Sequence, residues 1–330
     1  MSLRVMFVTN MWPDEERPWY GPFIKRQADS LEELGVSVDP VPIRGYAGRA
    51  AYLGASGRML RLNRRCDYDV VHAHYGHAGL VARLQRSAPL VLTYWGSDLL
   101  GKPKSDSAIT LKTRVEAAVF SQLARACSAT ITQSRQMELR LPEACRPRNH
   151  IVPAGIDIER FKPVGRDEAR RRLGWEPNER VVLFAANPEL STKNYPLADE
   201  VCRRVSDNGH RVRLRVAWGV APDKIPVWMS AADALLFPSR SEGSPNVIKE
   251  AMATELPIVS TPVGDVEERV RDVPGCWVRP SDPELLAAAL REALAYGRAP
   301  EARRAVAALD MRATAQRVIS IYESVLERRG

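Results

Sequence analysis

The strongest constraint on this chain is a rhythm that occurs twice: short apolar, β-branched runs, each followed by a stretch with apolar residues at helical spacing. LRVMFVTN (3–10) is an apolar run ending in Thr-Asn, which suits a strand buried on both faces. IKRQADSLEELG (24–35) carries apolar residues at helical spacing and stops at Gly35. VSVDPVPI, YDVVHAH, PLVLTYWG and SATITQS continue the alternation. After HIVPAGIDIERFKPVGRDEA, rich in proline and glycine, it restarts with RVVLFAAN (180–187) and runs through VRLRVAWG, ADALLFPS and PIVSTPVG. Alternating strands and helices predict parallel, doubly wound sheets, and 330 residues suffice for two cores with a boundary near 155–165. The stretch DMRATAQRVISIYESVLERRG reads as a long amphipathic helix with Ala315, Val318, Ile319, Tyr322 and Leu326 on one side. No strand follows it, so it must lie over a surface already built.

Composition narrows the function classes. With 45% hydrophobic and 27% charged residues, no low-complexity tract and no solenoid repeat, the chain reads as globular. Its first apolar run is too short for a signal peptide or membrane span, which predicts a cytoplasmic protein. Five scattered cysteines (Cys66, Cys127, Cys145, Cys202, Cys276) without a CxxC pair suggest neither a disulfide framework nor zinc, and read as reduced and structural. A net charge of +8 favours anionic partners such as nucleotides or acidic lipids. No RNP motif, zinc finger or helix-turn-helix signature accompanies it, so nucleic acid is not an expected partner.

Open α/β sheets bind ligands beyond the carboxyl ends of their strands, which directs attention to SRSEGSPNVIKEAM (239–252) after the strand ADALLFPS. Ser244 is a good N-cap and Pro245 suits the first helical position. The free N–H groups of that helix start, with Gly243 allowing close approach, make a phosphate site. Val247, Ile248, Ala251 and Met252 form the buried stripe, while Glu250 shares an edge with Asn246. Glu242 precedes the helix. The two carboxylates then flank an anion, as acceptors for hydroxyl pairs, and a diphosphate with a sugar at each end fits the layout.

The stretch PSRSEGSPNVIKEAMATELPIVSTPVGDVEE resembles the E-x7-E signature region of retaining, GT-B fold glycosyltransferases of family 4. The resemblance runs over nearly the whole chain, through WYGPF, DVVHAHYG, TYWGSD, VPAGIDIERFKP and AADALLFPS. The variants TYWGSDLL, FAANPELSTKNYPLA and EGSPNVIKEAM are similar to a subgroup of bacterial surface-polysaccharide enzymes. It implies two Rossmann-like domains facing a cleft: an acceptor-binding domain at 1–158, a nucleotide-sugar donor-binding domain at 159–310, and a helix at 311–330 packing back on the first. It further implies metal-independent, retaining transfer, without a cofactor, from a UDP or GDP sugar to a saccharide or lipid-linked acceptor. Peripheral contact with the anionic inner face of the cell membrane would suit the latter.

The resemblance assigns roles residue by residue. Glu250 would bind the ribose, Glu242 the donor sugar, and Lys193 the diphosphate, stabilising charge on the leaving group. Asn187 stands where the family usually has an arginine, and Arg240 is a candidate substitute for that phosphate contact. Gly243, Ser244, Pro245 and Asn246 supply the helix start, and Gly21 lies in the loop MWPDEERPWYGPF that would face the donor phosphates. Trp12, Trp19 and Tyr20 could wall an acceptor sugar or simply pack. Trp95 replaces a frequent histidine and, with His74 and His77, belongs on the acceptor side. Asp98 is the matching acidic residue, able to orient substrate or accept a proton, or else to cap a helix. His72, His74 and His77 lack a completing acidic or thiolate ligand, so no metal is expected. A GT-B epimerase or phosphorylase, and a non-catalytic sugar-nucleotide-binding partner, are the rival readings.

Overall fold

The structure is a computed structural model, and it describes residues 3–17, 20–62, 67–101, 103–104, 108–206 and 212–329. Trp19 and Cys66 lie outside the described residues. The chain folds as two compact units: unit 1 holds Met1–Lys102, Ile109–Gly155 and Met311–Gly330, and unit 2 holds Pro103–Ala108 and Ile156–Asp310.

Unit 1 begins with β1 (Arg4–Thr9), α1 (Pro22–Glu32), β2 (Ser37–Pro42), α2 (Arg49–Leu62), β3 (Val70–His74), α3 (Gly76–Ala82), β4 (Leu90–Thr93) and α4 (Ser97–Leu100). A two-residue ribbon, β5 (Pro103–Lys104) with β6 (Ala108–Ile109), separates these from α5 (Leu111–Leu123), β7 (Ala129–Thr132), α6 (Arg135–Glu138) and β8 (Asn149–Ile151). The six-stranded sheet has the order β2-β1-β3-β4-β7-β8, all parallel. Phe7 pairs with His72, and His72 with Val91. Residues Val5 to Val8 are fully buried, as an apolar run covered on both faces must be.

Unit 2 continues through α7 (Arg166–Leu173), β9 (Arg180–Phe184), α8 (Tyr195–Ser206), β10 (Val212–Val216), α9 (Ile225–Ala231), β11 (Ala234–Phe237), α10 (Asn246–Ala253), β12 (Ile258–Ser260), α11 (Val266–Val270), β13 (Cys276–Val278), α12 (Pro283–Tyr296) and α13 (Pro300–Val306). Its five-stranded parallel sheet has the order β10-β9-β11-β12-β13. One face carries a cluster with Val181, Leu235, Ile248 and Ala251, the other a cluster with Phe184, Val201, Leu236 and Leu290.

After unit 2 the chain returns to unit 1 as α14 (Met311–Glu327). Ala315, Val318, Ile321, Tyr322 and Val325 are buried with Val5, Phe7, Ile24 and Leu31 in one cluster. The seam is turned slightly from the one expected: Ile319 and Leu326 sit partly buried at its rim, and Ile321 and Val325 lie within it. Tyr322 reaches the sheet, its hydroxyl 2.6 Å from His72 Nδ1, while Nε2 lies 2.7 Å from Thr93 Oγ1. Both ring nitrogens of a fully buried histidine are thereby satisfied, and burial pushes its pKa down to about 3.

Among the described residues, no helix is long and apolar enough to cross a membrane. Cys127, Cys145, Cys202 and Cys276 are free thiols.

Candidate functional site

Both sheets reverse their strand order beside the first strand of the unit, and these switch points are where an open α/β sheet leaves room for a ligand. In unit 2 the chain runs from β9 outward to β10, then crosses to β11 on the other side of β9. The loops leaving β9 and β11 meet there. The first forms a 3-10 turn, Ser191–Lys193, ended by Asn194 in the left-handed conformation at φ 56°. The backbone N–H of Arg240, in the second loop, donates to the Thr192 carbonyl at 2.8 Å, tying the loops together.

Across that tie, Lys193 Nζ donates to Glu242 Oε1 at 2.5 Å, with side chains 24% and 15% exposed. The ammonium also lies 5.8 Å from the centroid of the Phe237 ring. Two residues 49 positions apart are thus brought into contact by the pairing of β11 with β9. Asn187, in the same β9 loop, spends its side-chain oxygen on the Glu189 N–H at 3.0 Å. The Arg240 side chain is exposed.

The signature helix differs from its sequence reading at its start. Pro245, at φ −72° and ψ 121°, occupies the N-cap position, and α10 begins at Asn246. Ser244 is not the cap. Its hydroxyl donates to Asp265 Oδ2 at 2.9 Å and receives a weak hydrogen bond from Lys249 Nζ at 3.5 Å. Asp265, 4% exposed, also pairs with Arg269, while its Oδ1 has no partner. Behind Gly243, Gly264 sits at φ 59°, where a Cβ would lie 2.6 Å from the Gly243 carbonyl oxygen. The loop holding Gly264 and Asp265 therefore backs the segment Glu242–Ser244.

Lys249 is the residue that sequence reasoning misses. A lysine on a helix reads as polar surface, yet this one is 1% exposed on the inner side of α10. Burial, reinforced by the Arg269 guanidinium, pulls its ammonium pKa down to about 7, against the pull of Asp265 and Glu250. The only sequence signal is its place beside Ile248 in the buried stripe, with an acidic Asp265 just after β12. Glu250 is half-buried, one position further along the helix.

In unit 1 the switch point lies between β1 and β3. A cavity of about 340 Å3 opens there, lined by Asn10, Tyr20, Tyr75, His77, Asp98 and Glu116 among others. Asp98 is not a helix cap either: Gly96 holds that position, and Asp98 folds back so that Oδ1 accepts from the Trp95 N–H at 3.1 Å and the Gly96 N–H at 3.0 Å. Burial raises its pKa to about 6, opposed by these backbone donors. Gly21 begins α1 at φ 78°, and a Cβ there would stand 2.5 Å from the Met11 carbonyl oxygen. This glycine meets both a backbone conformation and a close approach that other residues resist.

His77 lines the cavity and stacks edge-on against Phe120 at 4.6 Å. His74 does not line it. It is fully buried 4.5 Å from Phe7 and 4.2 Å from His72, with neither ring nitrogen hydrogen-bonded, and burial holds its pKa well below the ordinary value. Trp95 packs at 4.5 Å on Phe23 and 6.0 Å from His74. Among the described residues no group of three histidines, cysteines or carboxylates is placed to hold a metal ion. The singled-out residues thus fall into two sets: Gly21, His74, His77, Trp95 and Asp98 in unit 1, and Asn187, Lys193, Arg240, Glu242, Gly243 to Asn246 and Glu250 in unit 2.

Two doubly wound parallel sheets, with a helix from the far end of the chain returning to the first, define a GT-B protein. The structure superposes with TM-score 0.81 on sucrose-phosphate synthase from Thermosynechococcus elongatus, at 18% identity, covering 99% of this chain and 100% of that one. Residues 3–160 match the model of Glycosyltransferase Family 4, and residues 182–296 that of Glycosyl transferases group 1. Both matches are to glycosyltransferase domains, and the chain is a glycosyltransferase, similar to family 4 over residues 3–160. It is 28% identical over 307 residues to D-inositol 3-phosphate glycosyltransferase 1 of Catenulispora acidiphila, covering 79% of this chain and 73% of the relative. A Bacillus subtilis protein named as a putative teichuronic acid biosynthesis glycosyltransferase, TuaC, is 21% identical over 350 residues, covering 87% of this chain and 88% of its own length.

Proposed function

We propose that this glycosyltransferase moves a sugar, with retention and without a metal ion, from a UDP or GDP sugar to a saccharide or lipid-linked acceptor in the assembly of a cell-surface polysaccharide or glycoconjugate. The observation that carries this reading is the Lys193–Glu242 pair at the switch point of unit 2, beside the start of α10. A cation and a row of backbone N–H groups suit a diphosphate, and a carboxylate next to them suits the hydroxyls of the sugar it carries. The name of the TuaC relative supports the surface-polymer role.

In this reading Lys193 and the N–H groups of Gly243, Ser244 and Asn246 stabilise the charge that grows on the departing diphosphate. Glu242 positions the donor sugar and Glu250 accepts the ribose hydroxyls. Arg240, exposed beside the tie to Thr192, supplies the phosphate contact that Asn187 cannot. Unit 1 serves the acceptor, through the cavity beside β1 and β3. The attacking hydroxyl passes its proton to Asp98 or to a donor phosphate, so no further base is needed.

A thermal-shift screen of UDP, GDP, ADP and their sugars should find one nucleoside series that raises the melting temperature, since a ligand at about 100 times its Kd adds about 2.7 kcal/mol to the folded state. Lys193→Ala and Glu242→Ala should keep the wild-type fold and lose transfer by about 100-fold or more, the scale of one lost transition-state contact. Undiminished transfer by either variant would refute the assignment. An altered sugar recovered without an acceptor would point instead to epimerase chemistry.

A further inference from the structure

The two helical layers of unit 1 differ sharply in what they show to water. α1 and α14 cover one face of the sheet, and no large hydrophobic residue on either is exposed. The opposite layer is α2, α3 and α5, held to the sheet by Met59, Ala78, Val81, Phe120 and Leu123. Its outer side exposes Leu53 at 74%, Leu60 at 54%, Leu80 at 42%, Leu111 at 78%, Val115 at 55% and Val119 at 47%. Leu111, Val115 and Val119 follow one another at i, i+4 and i+8, so α5 presents an apolar stripe outward as a core-facing helix presents one inward. Scattered exposed leucines need no explanation, but an apolar stripe on a surface layer does.

The charge on this layer is one-sided. Arg58 and Arg61 on α2, Lys112 and Arg114 on α5, and Arg86 and Arg125 just beyond α3 and α5 are all exposed. Across α2, α3 and α5 the sequence holds a single carboxylate, Glu116, which is half-buried and 3.9 Å from Lys112. A second copy of the chain seated symmetrically on this layer would bring like charges together. Cations flanking exposed aliphatic side chains complement a surface that is anionic outside and apolar just beneath.

We propose that the outer face of α2, α3 and α5 is a docking surface for an anionic phospholipid bilayer, with Leu111, Val115 and Val119 entering the headgroup boundary and the surrounding arginines and lysine meeting lipid phosphates. This rests on the lipid-linked form of the proposed acceptor and deepens it. Binding to vesicles is measured without donor or acceptor, so failure of this surface and failure of the transferase reading are separate results.

The test is cosedimentation with vesicles of phosphatidylcholine alone or of phosphatidylcholine mixed with phosphatidylglycerol. The protein should pellet with the anionic vesicles, pellet far less with the neutral ones, and be released by salt. Lys112→Glu with Arg114→Glu should weaken binding by at least about tenfold, since each cation at such a surface accounts for about fivefold. Val115→Glu with Val119→Glu should weaken it comparably. These positions are exposed, so the variants should melt with the wild type; if one pair does not fold, Leu53→Glu with Leu60→Glu replaces it. The proposal is overturned if the wild type stays in solution with anionic vesicles, or if the variants pellet as it does. It is equally overturned if the wild type is a dimer by sedimentation velocity that Val115→Glu with Val119→Glu dissociates, because a second copy would then cover the face.

Discussion

Lys193 and Glu242 meet in an ion pair, and under the proposed function a bound diphosphate sugar would have to rearrange it. Glu242→Gln keeps the side-chain shape and removes the charge. It should tighten binding of the free nucleoside diphosphate by about two- to fivefold, within the range of a part-exposed ion pair, while transfer falls; calorimetry and a transfer assay read the two separately. Lys249 gives a second test. Its folded-state pKa of about 7 lies below the ordinary lysine value, so between about 7 and 10.5 the unfolded chain holds a proton that the folded one lacks. Stability should therefore rise with pH over that window, and Lys249→Met should flatten the rise in thermal melts. Asp98 runs the other way. Its carboxyl is raised to about 6, so the stability of its protonated form is complete below about 4 and lost as pH passes 6. If Asp98 accepts the proton in transfer, activity should fall below about pH 6, and Asp98→Asn should remove that acid limb.

The strands are readable because both sheets are parallel and buried on two faces, so β1, β4, β9 and β11 appear as unbroken apolar runs. α10 is readable too, within one residue, although its cap is not: a serine followed by proline suggests a hydroxyl cap, and Asp265, brought over by β12, takes that hydroxyl instead. Contacts made through strand order cannot be seen along the chain. The Lys193–Glu242 pair depends on β11 lying next to β9, and the burial of Lys249 depends on which side of α10 faces Asp265. The acceptor-side expectation for His74 fails for a related reason: residues at i and i+2 of a strand share a face, so it is buried beside His72 against Phe7. At this scale Gly264→Ala is the informative change. Its Cβ would press on the Gly243 carbonyl at a positive φ, which should cost about 1–3 kcal/mol and weaken nucleoside diphosphate binding, measured by melting and calorimetry.

Across the whole molecule, unit 1 is assembled from segments on both sides of unit 2. Tyr322, on α14, is the hydrogen-bond partner of His72 in the third strand. Tyr322→Phe leaves a buried ring nitrogen unmatched and should lower stability by about 1–3 kcal/mol, visible as a shift of the denaturation midpoint without loss of fold. Removing residues 311–330 exposes Val5, Phe7 and Ile24 of the same cluster and should leave unit 1 unable to fold, even with every strand of its sheet present. Synthesis on the ribosome meets the same constraint. Unit 1 is delivered first, but the helix that closes it comes more than 150 residues later, after all of unit 2. The first unit made is thus the last able to finish, and a nascent chain stalled anywhere in unit 2 carries an open apolar face.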